Sequence, residues 1–208
     1  MSRPVIEFWY EFASTYSYPA AMRIEALAAE AGVDVDWRPL LLGPLFNEQQ
    51  GLTDSPFNAF PVKGQYMWRD MERVCEAEHV PFERPSQFPR NGLLAARIAV
   101  AGLAERWTPQ FSRLVYQANF VHDQDIASAE VLTPLVAEAG GNAEAALAAA
   151  SSDSVKAQLK DHVTQAKARG VFGAPSFITA DGELFWGNDR LEQALDWALH
   201  HHKTREFA

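Results

Sequence analysis

The stretch "EFWYEFASTYSYPA", residues 7–20, decides how the rest of the chain is read. It runs from a β-branched and aromatic segment, "VIEFWY" (5–10), through a short turn into a helical pattern. A composition of that kind reads as a buried strand. After the turn, Ala20, Ile24, Leu27, Ala28 and Ala31 fall at helical spacing, and Gly32 is placed to end the helix in a left-handed cap. "VDVDW" (33–37) then alternates with the period of a half-buried strand. A strand, helix and strand in so short a span make a βαβ unit with parallel strands. In many small redox domains the turn of such a unit carries two cysteines. Here it carries Ser14, Thr15, Tyr16 and Ser17, and no sulfur.

Working outward, "PLLLGPLFNEQQGLTDSPFNAFPVKG" (39–64) is rich in Pro, Gly and Asn and reads as a long irregular connection. Connections of that length are usually functional. From Gln65 to about Arg169 the pattern is helical, with Met67, Met71, Val74 and Cys75 on one face. Strand pattern returns in "SFITA" (176–180) and "ELFW" (183–186), joined by Asp-Gly, which signals a two-residue hairpin turn. A last helix follows from 188, where Asp189 and Glu192 have the spacing of a capping box. The order β-α-β, helical block, β-β-α resembles an α/β thioredoxin-like fold interrupted by an all-helical insertion. Residues 1–45 and 170–208 are expected to form the sheet domain, and 46–169 the insertion.

Composition sets the outer limits. The chain has 208 residues, 48% hydrophobic and 22% charged, with a formal net charge of -9. That charge argues against a nucleic-acid partner, which needs a basic face. It leaves room for a small anion, which local cations and free N–H groups can hold. No run reaches the ~18 apolar residues of a membrane span. The opening "MSRPVIEFWYEF" lacks the basic-then-apolar pattern of a secretory signal, so a cytoplasmic location is expected. The single Cys75 excludes an internal disulfide. With His79 it makes only a lone Cys-x-x-x-His, read as a buried inert thiol rather than a metal site. "HDQD" (122–125) reads as helix capping, and Glu72, Glu76 and Glu78 as a solvated face.

Three stretches carry candidate chemistry. Ser14 sits where a strand feeds a helix, so backbone N–H groups and the helix dipole favour negative charge beside it. Its hydroxyl is suited to a thiolate, or equally to plain N-capping. "GVFGAPSF" (170–177) places Pro175 at the first residue of a strand. A cis Ala174–Pro175 bond would expose the Ala174 N–H and C=O to an extended peptide, and a trans bond would make an ordinary loop. "FWGNDRLE" (185–192) sets Asn188, Asp189 and Arg190 at a helix start, fit either for an α-amino acid head group or for capping.

Taken together, "FASTYSY", "GVFGAP" and "WGNDRLE" are similar to the 2-hydroxychromene-2-carboxylate isomerases, which stand with the kappa-class glutathione transferases and DsbA-type oxidoreductases in one thioredoxin-fold group. "PFNAFPVKGQYMWRDMERVC" (56–75) and "FPRNGLLAAR" (88–97) add to the resemblance, which spans nearly the whole chain. It implies glutathione as cofactor. It also implies a reversible thiolate addition to an opened aromatic ketoacid, rotation about the bond that becomes single, and release of glutathione. The family's active-site serine falls on Ser14, with Thr15 in place of its usual Pro. Its glutathione residues fall on Lys63, Ala174, Pro175, Asn188, Asp189 and Arg190. A family Asn in an Asn-x-Pro-Pro context has no match, and Asp54 or Asn58 occupies that space. Tyr16, Asn58 and Asn91 are the expected substrate contacts. Trp9, Tyr10, Phe60 and Trp68 are further aromatic candidates for the pocket, with core packing as the other reading, favoured for Trp9 and Tyr10. The resemblance also implies a homodimer. Two other functions stay open: a kappa-like transferase that consumes glutathione, and a non-catalytic glutathione- or peptide-binding module.

Overall fold

The computed structural model describes residues 3–201. Strand β1 (Val5–Tyr10) leads into helix α1 (Ser17–Ala31) and strand β2 (Asp34–Pro39). β1 and β2 are parallel, in register from Val5↔Asp34 to Tyr10↔Pro39. Gly32 closes α1 at φ 70, and its N–H caps the Ala28 and Ala29 carbonyls. Strands β3 (Ser176–Thr179) and β4 (Leu184–Trp186) form an antiparallel hairpin, and β3 runs antiparallel to β1. The sheet order is β2-β1-β3-β4, the thioredoxin-like arrangement expected from the two chain ends.

Five of the six β1 residues are apolar, and both faces of the strand are covered. Ile6, Phe8 and Tyr10 point into one core, where the Phe8 ring lies 5.0 Å from Tyr10 and Trp37 and 5.5 Å from Phe177. Trp9 points to the other face, among Leu40, Leu45, Val163, Ala166 and Ile178. Each such fully buried side chain contributes ~1.5–3 kcal/mol of burial. α1 and α10 (Leu191–His200) cover the first face. α2 (Leu42–Gln50) and α9 (Asp153–Ala168) approach the second, so α9 belongs to the sheet packing although it falls within 46–169.

Several expectations are corrected. The stretch 39–64 is largely helical: α2 is followed by the short α3 (Pro56–Ala59), and α4 (Pro61–Ala77) starts four residues before Gln65. Pro56 and Pro61 sit in the first turn of α3 and α4, where proline lacks nothing that a helix needs. The hairpin loop has three residues, 180–182, because Thr179 N–H donates to the Glu183 carbonyl at 3.1 Å. Gly182 takes φ 92 there, the left-handed position of a three-residue hairpin. Asp189 and Glu192 form no capping box; the α10 cap has no side-chain bond, and Glu192 pairs with Arg23. Glu78 is also tied to Arg23, at 2.8 Å, and is half-buried rather than solvated.

The helical half continues with α5 (Leu93–Gly102), α6 (Thr108–Phe120), α7 (Ala129–Glu138) and α8 (Ala143–Ser151). No residue of "HDQD" caps α7; Ser128 does, while Asp123 binds the buried Arg90. Residues 1–2 and 202–208 of the expected sheet domain lie outside the described residues.

Candidate functional site

Strand β1 ends at Tyr10, and residues 11–16 turn the chain into α1. The turn closes through Ser14 N–H donating to the Glu11 carbonyl at 3.0 Å and Tyr18 N–H to the Thr15 carbonyl at 3.2 Å. The Ser14 hydroxyl does two things. It accepts the Ser17 N–H at 3.3 Å, a cap on the helix start, and it donates to the Ala174 carbonyl at 2.9 Å. The Ala174–Pro175 bond is cis. The two stretches thus meet across 160 residues of sequence, and the Ala174 carbonyl, expected to be free for an extended peptide, is held by the serine. Thr15, which stands where the resemblance expects Pro, is buried with its hydroxyl unpartnered. An unmet hydroxyl of that kind costs ~1–3 kcal/mol.

Helix α6 holds this turn from behind. Ser112, Tyr116 and Asn119 recur on one helical face and reach three consecutive residues. The Tyr10 and Ser112 hydroxyls lie 2.8 Å apart, the Tyr116 hydroxyl donates to the Glu11 carbonyl at 2.8 Å, and the Asn119 amide donates to the Phe12 carbonyl at 3.2 Å. Asn119 is itself fixed by Arg90 at 3.0 Å, and Arg90 by Asp123. The sequence offered no sign of this brace, because the partners lie about a hundred residues apart.

In front of the turn opens a cavity of about 1180 Å³, walled by the turn, α2 to α4, residues 88–93, the 172–175 loop and residues 186–190. Ser14, Tyr16, Lys63, Asn91, Ala174, Pro175, Asn188, Asp189 and Arg190 all line it. Asn58 does not. Its amide bonds to the Asp54 carboxylate at 3.1 Å and to the Phe88 carbonyl at 3.2 Å, and Asp54 supplies the wall instead. Asn91 spends its carbonyl on the Leu93 N–H at 2.9 Å, at the start of α5.

The far end is polar. Asn188 is buried, and its amide oxygen accepts from Arg23 at 3.3 Å. Asp189 and Arg190 are exposed and 3.7 Å apart. Gly187, at φ 112, starts this one-turn 3-10 helix, with its N–H donating to the Pro175 carbonyl at 3.0 Å. Lys63, at the opposite wall, holds its ammonium 5.4 Å from the Phe57 ring. The Tyr16 hydroxyl donates to Asp70 at 2.9 Å; burial first, then that bond, pushes the phenol well above its ordinary range.

Of the aromatic candidates, Trp9 and Tyr10 are core residues, and Phe60 and Trp68 lie off the cavity. The apolar walls come instead from Phe46, Phe57, Phe88, Phe172 and Trp186. The exposed Phe172 and Trp186 rings lie 4.9 Å apart at the edge. A Cβ on Gly173 would lie 2.5 Å from the Trp186 indole nitrogen, so the glycine in "VFGAP" makes room for that ring. Cys75 is buried away from the cavity, and burial pushes its thiol up to about 12. Among the described residues no group of three or more His, Cys, Asp or Glu could hold a metal ion, and no helix is long and apolar enough to cross a membrane.

A four-stranded thioredoxin-like sheet whose helix-starting turn offers a serine hydroxyl to the residue before a cis proline defines a thioredoxin-fold protein without a redox pair of its own. The chain belongs to the DSBA-like thioredoxin domain family, which it matches over residues 5–197. It is 27% identical over 187 residues to a 2-hydroxychromene-2-carboxylate isomerase of Sphingobium xenophagum, covering 90% of this chain and 94% of that one. Among solved structures, a 2-hydroxychromene-2-carboxylate isomerase superposes with a TM-score of 0.83 at 22% identity, over 95% of each chain. The cytosolic disulfide reductase DsbM of Pseudomonas aeruginosa, solved with GSH, superposes with a TM-score of 0.66 at 18% identity, over 95% of this chain and 97% of that one. At those identities the two structures speak for the fold alone.

Proposed function

We propose that the chain is a glutathione-dependent isomerase of 2-hydroxychromene-2-carboxylate or a similar aromatic ketoacid. One observation carries the reading: the Ser14 hydroxyl faces a cavity shared with Ala174, Asn188 and Arg190, while the chain's own thiol is buried elsewhere. The residues present fit the tripeptide. Ala174 offers main-chain groups to an extended peptide. Asn188 and Asp189 suit an amino-acid head group, Asp189 for its ammonium, and Arg190 and Lys63 suit carboxylates at the two ends. The volume exceeds the ~300–1,000 Å³ of an ordinary ligand site, which leaves room for a second, aromatic ligand.

When bound, glutathione supplies a sulfur nucleophile that adds reversibly to a conjugated double bond. The chain's part is to hold and polarise. Ser14 must first release the Ala174 carbonyl, at a cost of ~1 kcal/mol. Its hydroxyl and the α1 N-terminus then favour an anion in front of them. Phe57, Phe172 and Trp186 offer apolar surface to the substrate ring, and Asn91 and Tyr16 polar contacts beside it. The reading includes a cytoplasmic location, a homodimer, and a division into sheet domain (1–45 and 170–208) and helical insertion (46–169), with α9 serving both.

The test is spectroscopic equilibration of the chromene carboxylate and its ring-opened trans isomer, with and without glutathione. Turnover that needs glutathione and leaves its concentration unchanged is the expected result. Net loss of glutathione would favour the kappa-like transferase. Binding without turnover of either kind would leave only a binding module.

A further inference from the structure

Glu11 is the one carboxyl on the reactive turn, and nothing above uses its side chain. It lines the cavity three residues before Ser14. The turn itself and α6 hold its main chain. Its main-chain carbonyl accepts from both Ser14 N–H (3.0 Å) and the Tyr116 hydroxyl (2.8 Å), and its carboxyl lies near the Leu42 N–H at the start of α2. The residues on either side are pinned to α6 through Ser112 and Asn119. Such bracing fixes the backbone from which the carboxyl projects, a support that an acid–base group needs.

The groups facing it are few. Tyr116, from α6, is a phenol that burial holds far above its ordinary range, so it stays neutral. α2 brings the Leu42 amide. Lys63, Arg90, Arg190, Asp54, Asp70 and Asp189 stand on other walls of the cavity. No cation offsets the loss of water, so burial raises the Glu11 carboxyl to about 7, against a smaller lowering by Leu42. A group poised there can both take and return a proton at neutral pH.

We propose that Glu11 is the proton carrier that opens the cyclic substrate before any isomerisation, an inference that rests on the isomerase reading above. A 2-hydroxychromene-2-carboxylate is a hemiketal: one carbon bears the hydroxyl, the carboxylate and the ring oxygen. The Glu11 carboxylate takes the hydroxyl proton. The O–H electron pair becomes the new carbonyl bond, and the bond from that carbon to the ring oxygen breaks, its pair going to the phenolic oxygen. Glu11 returns the proton to that oxygen. The product is the open cis ketoacid, an isomer of the ring form, and the carboxylate is restored with no electron gained or lost.

The rival role is purely structural, a carboxylate capping α2. Glu11→Gln keeps the size and an acceptor oxygen for Leu42 but cannot carry the proton. With catalysis by such groups worth ~10²–10⁴-fold, kcat should fall at least ~100-fold. The limb of the kcat–pH profile near pH 7 should vanish, and glutathione affinity by calorimetry should stay within about twofold. Glu11→Asp should recover part of the rate. A kcat within about threefold of wild type, with the limb in place, overturns the proposal. So does an equal loss of rate and glutathione affinity, which marks a structural role. If Glu11→Gln does not fold, carbon-13 NMR of the wild-type carboxyl decides. Titration near 7 that moves when trans-benzylidenepyruvate binds supports the proposal, and titration indifferent to that probe overturns it. An inactive wild-type protein strikes down the isomerase reading and this step with it. An active one with an unaltered variant strikes down Glu11 alone.

Discussion

Two of the helix starts that border the cavity are built in opposite ways. The start of α1 is inward and braced: Ser14 and Thr15 stand on a turn that α6 grips at three consecutive residues. The start of α10 is outward and charged. Asn188 is fixed by Arg23, but Asp189 and Arg190 reach into solvent, with side chains 74% and 53% exposed. Polarising a reacting atom needs a dry, rigid dipole. Gripping a zwitterionic head group needs charges that water can reach and a ligand can displace. One end is therefore suited to chemistry, the other to capture.

The largest effect expected from that contrast is Ser14→Ala. It should lower kcat by ~100-fold, the scale of losing one donor to a developing anion, and leave the glutathione KM nearly unchanged. A change confined to KM would reverse the roles of the two ends. Next is Arg190→Ala, expected to raise the glutathione KM by ~10-fold, about one charge-assisted hydrogen bond, with kcat unaltered. Steady-state kinetics on both variants decides.

The smallest effect sharpens the brace. Hydrogen bonds from the Ser86 backbone, then from Arg90 and the Ser86 hydroxyl, lower the Asp123 carboxyl from its ordinary 3.8 to about 2. A lowered carboxyl favours the folded state above 3.8, and that contribution is lost as pH falls toward 2. Asp123→Asn should therefore flatten the decline of melting temperature between pH 4 and pH 2, followed by circular dichroism. An unchanged acid limb would show that Arg90 holds Asn119 without help from Asp123.

How much of this was legible in the sequence differs between the same two regions. The β1–α1–β2 unit reads directly, because period and composition agree and Gly32 marks the stop. The stretch 39–64 misled because its prolines look like breakers. Pro44, Pro56 and Pro61 all fall in first helical turns, where a missing N–H costs nothing. The hairpin was found, but its register was not, since Asp-Gly serves two-residue and three-residue loops alike. The polar residues that line the cavity were legible in the sequence, except that Asn58, whose amide turns back to Asp54, does not reach it. The aromatic walls were not. Whether Trp9 or Trp186 meets the cavity depends on which strand lies inside the sheet, and β4, at its edge, leaves Trp186 half exposed. The α6 brace and Glu11 depend on pairings across about a hundred residues, which no local pattern encodes.

The burial of Cys75 has a practical side. A chain whose sole sulfhydryl is sealed under a helix gives a nearly blank background to alkylating dyes. Any label that such a dye leaves in the loaded, still folded protein therefore belongs to the visitor, and its rate of appearance becomes a direct gauge of how the cavity tunes a foreign sulfur.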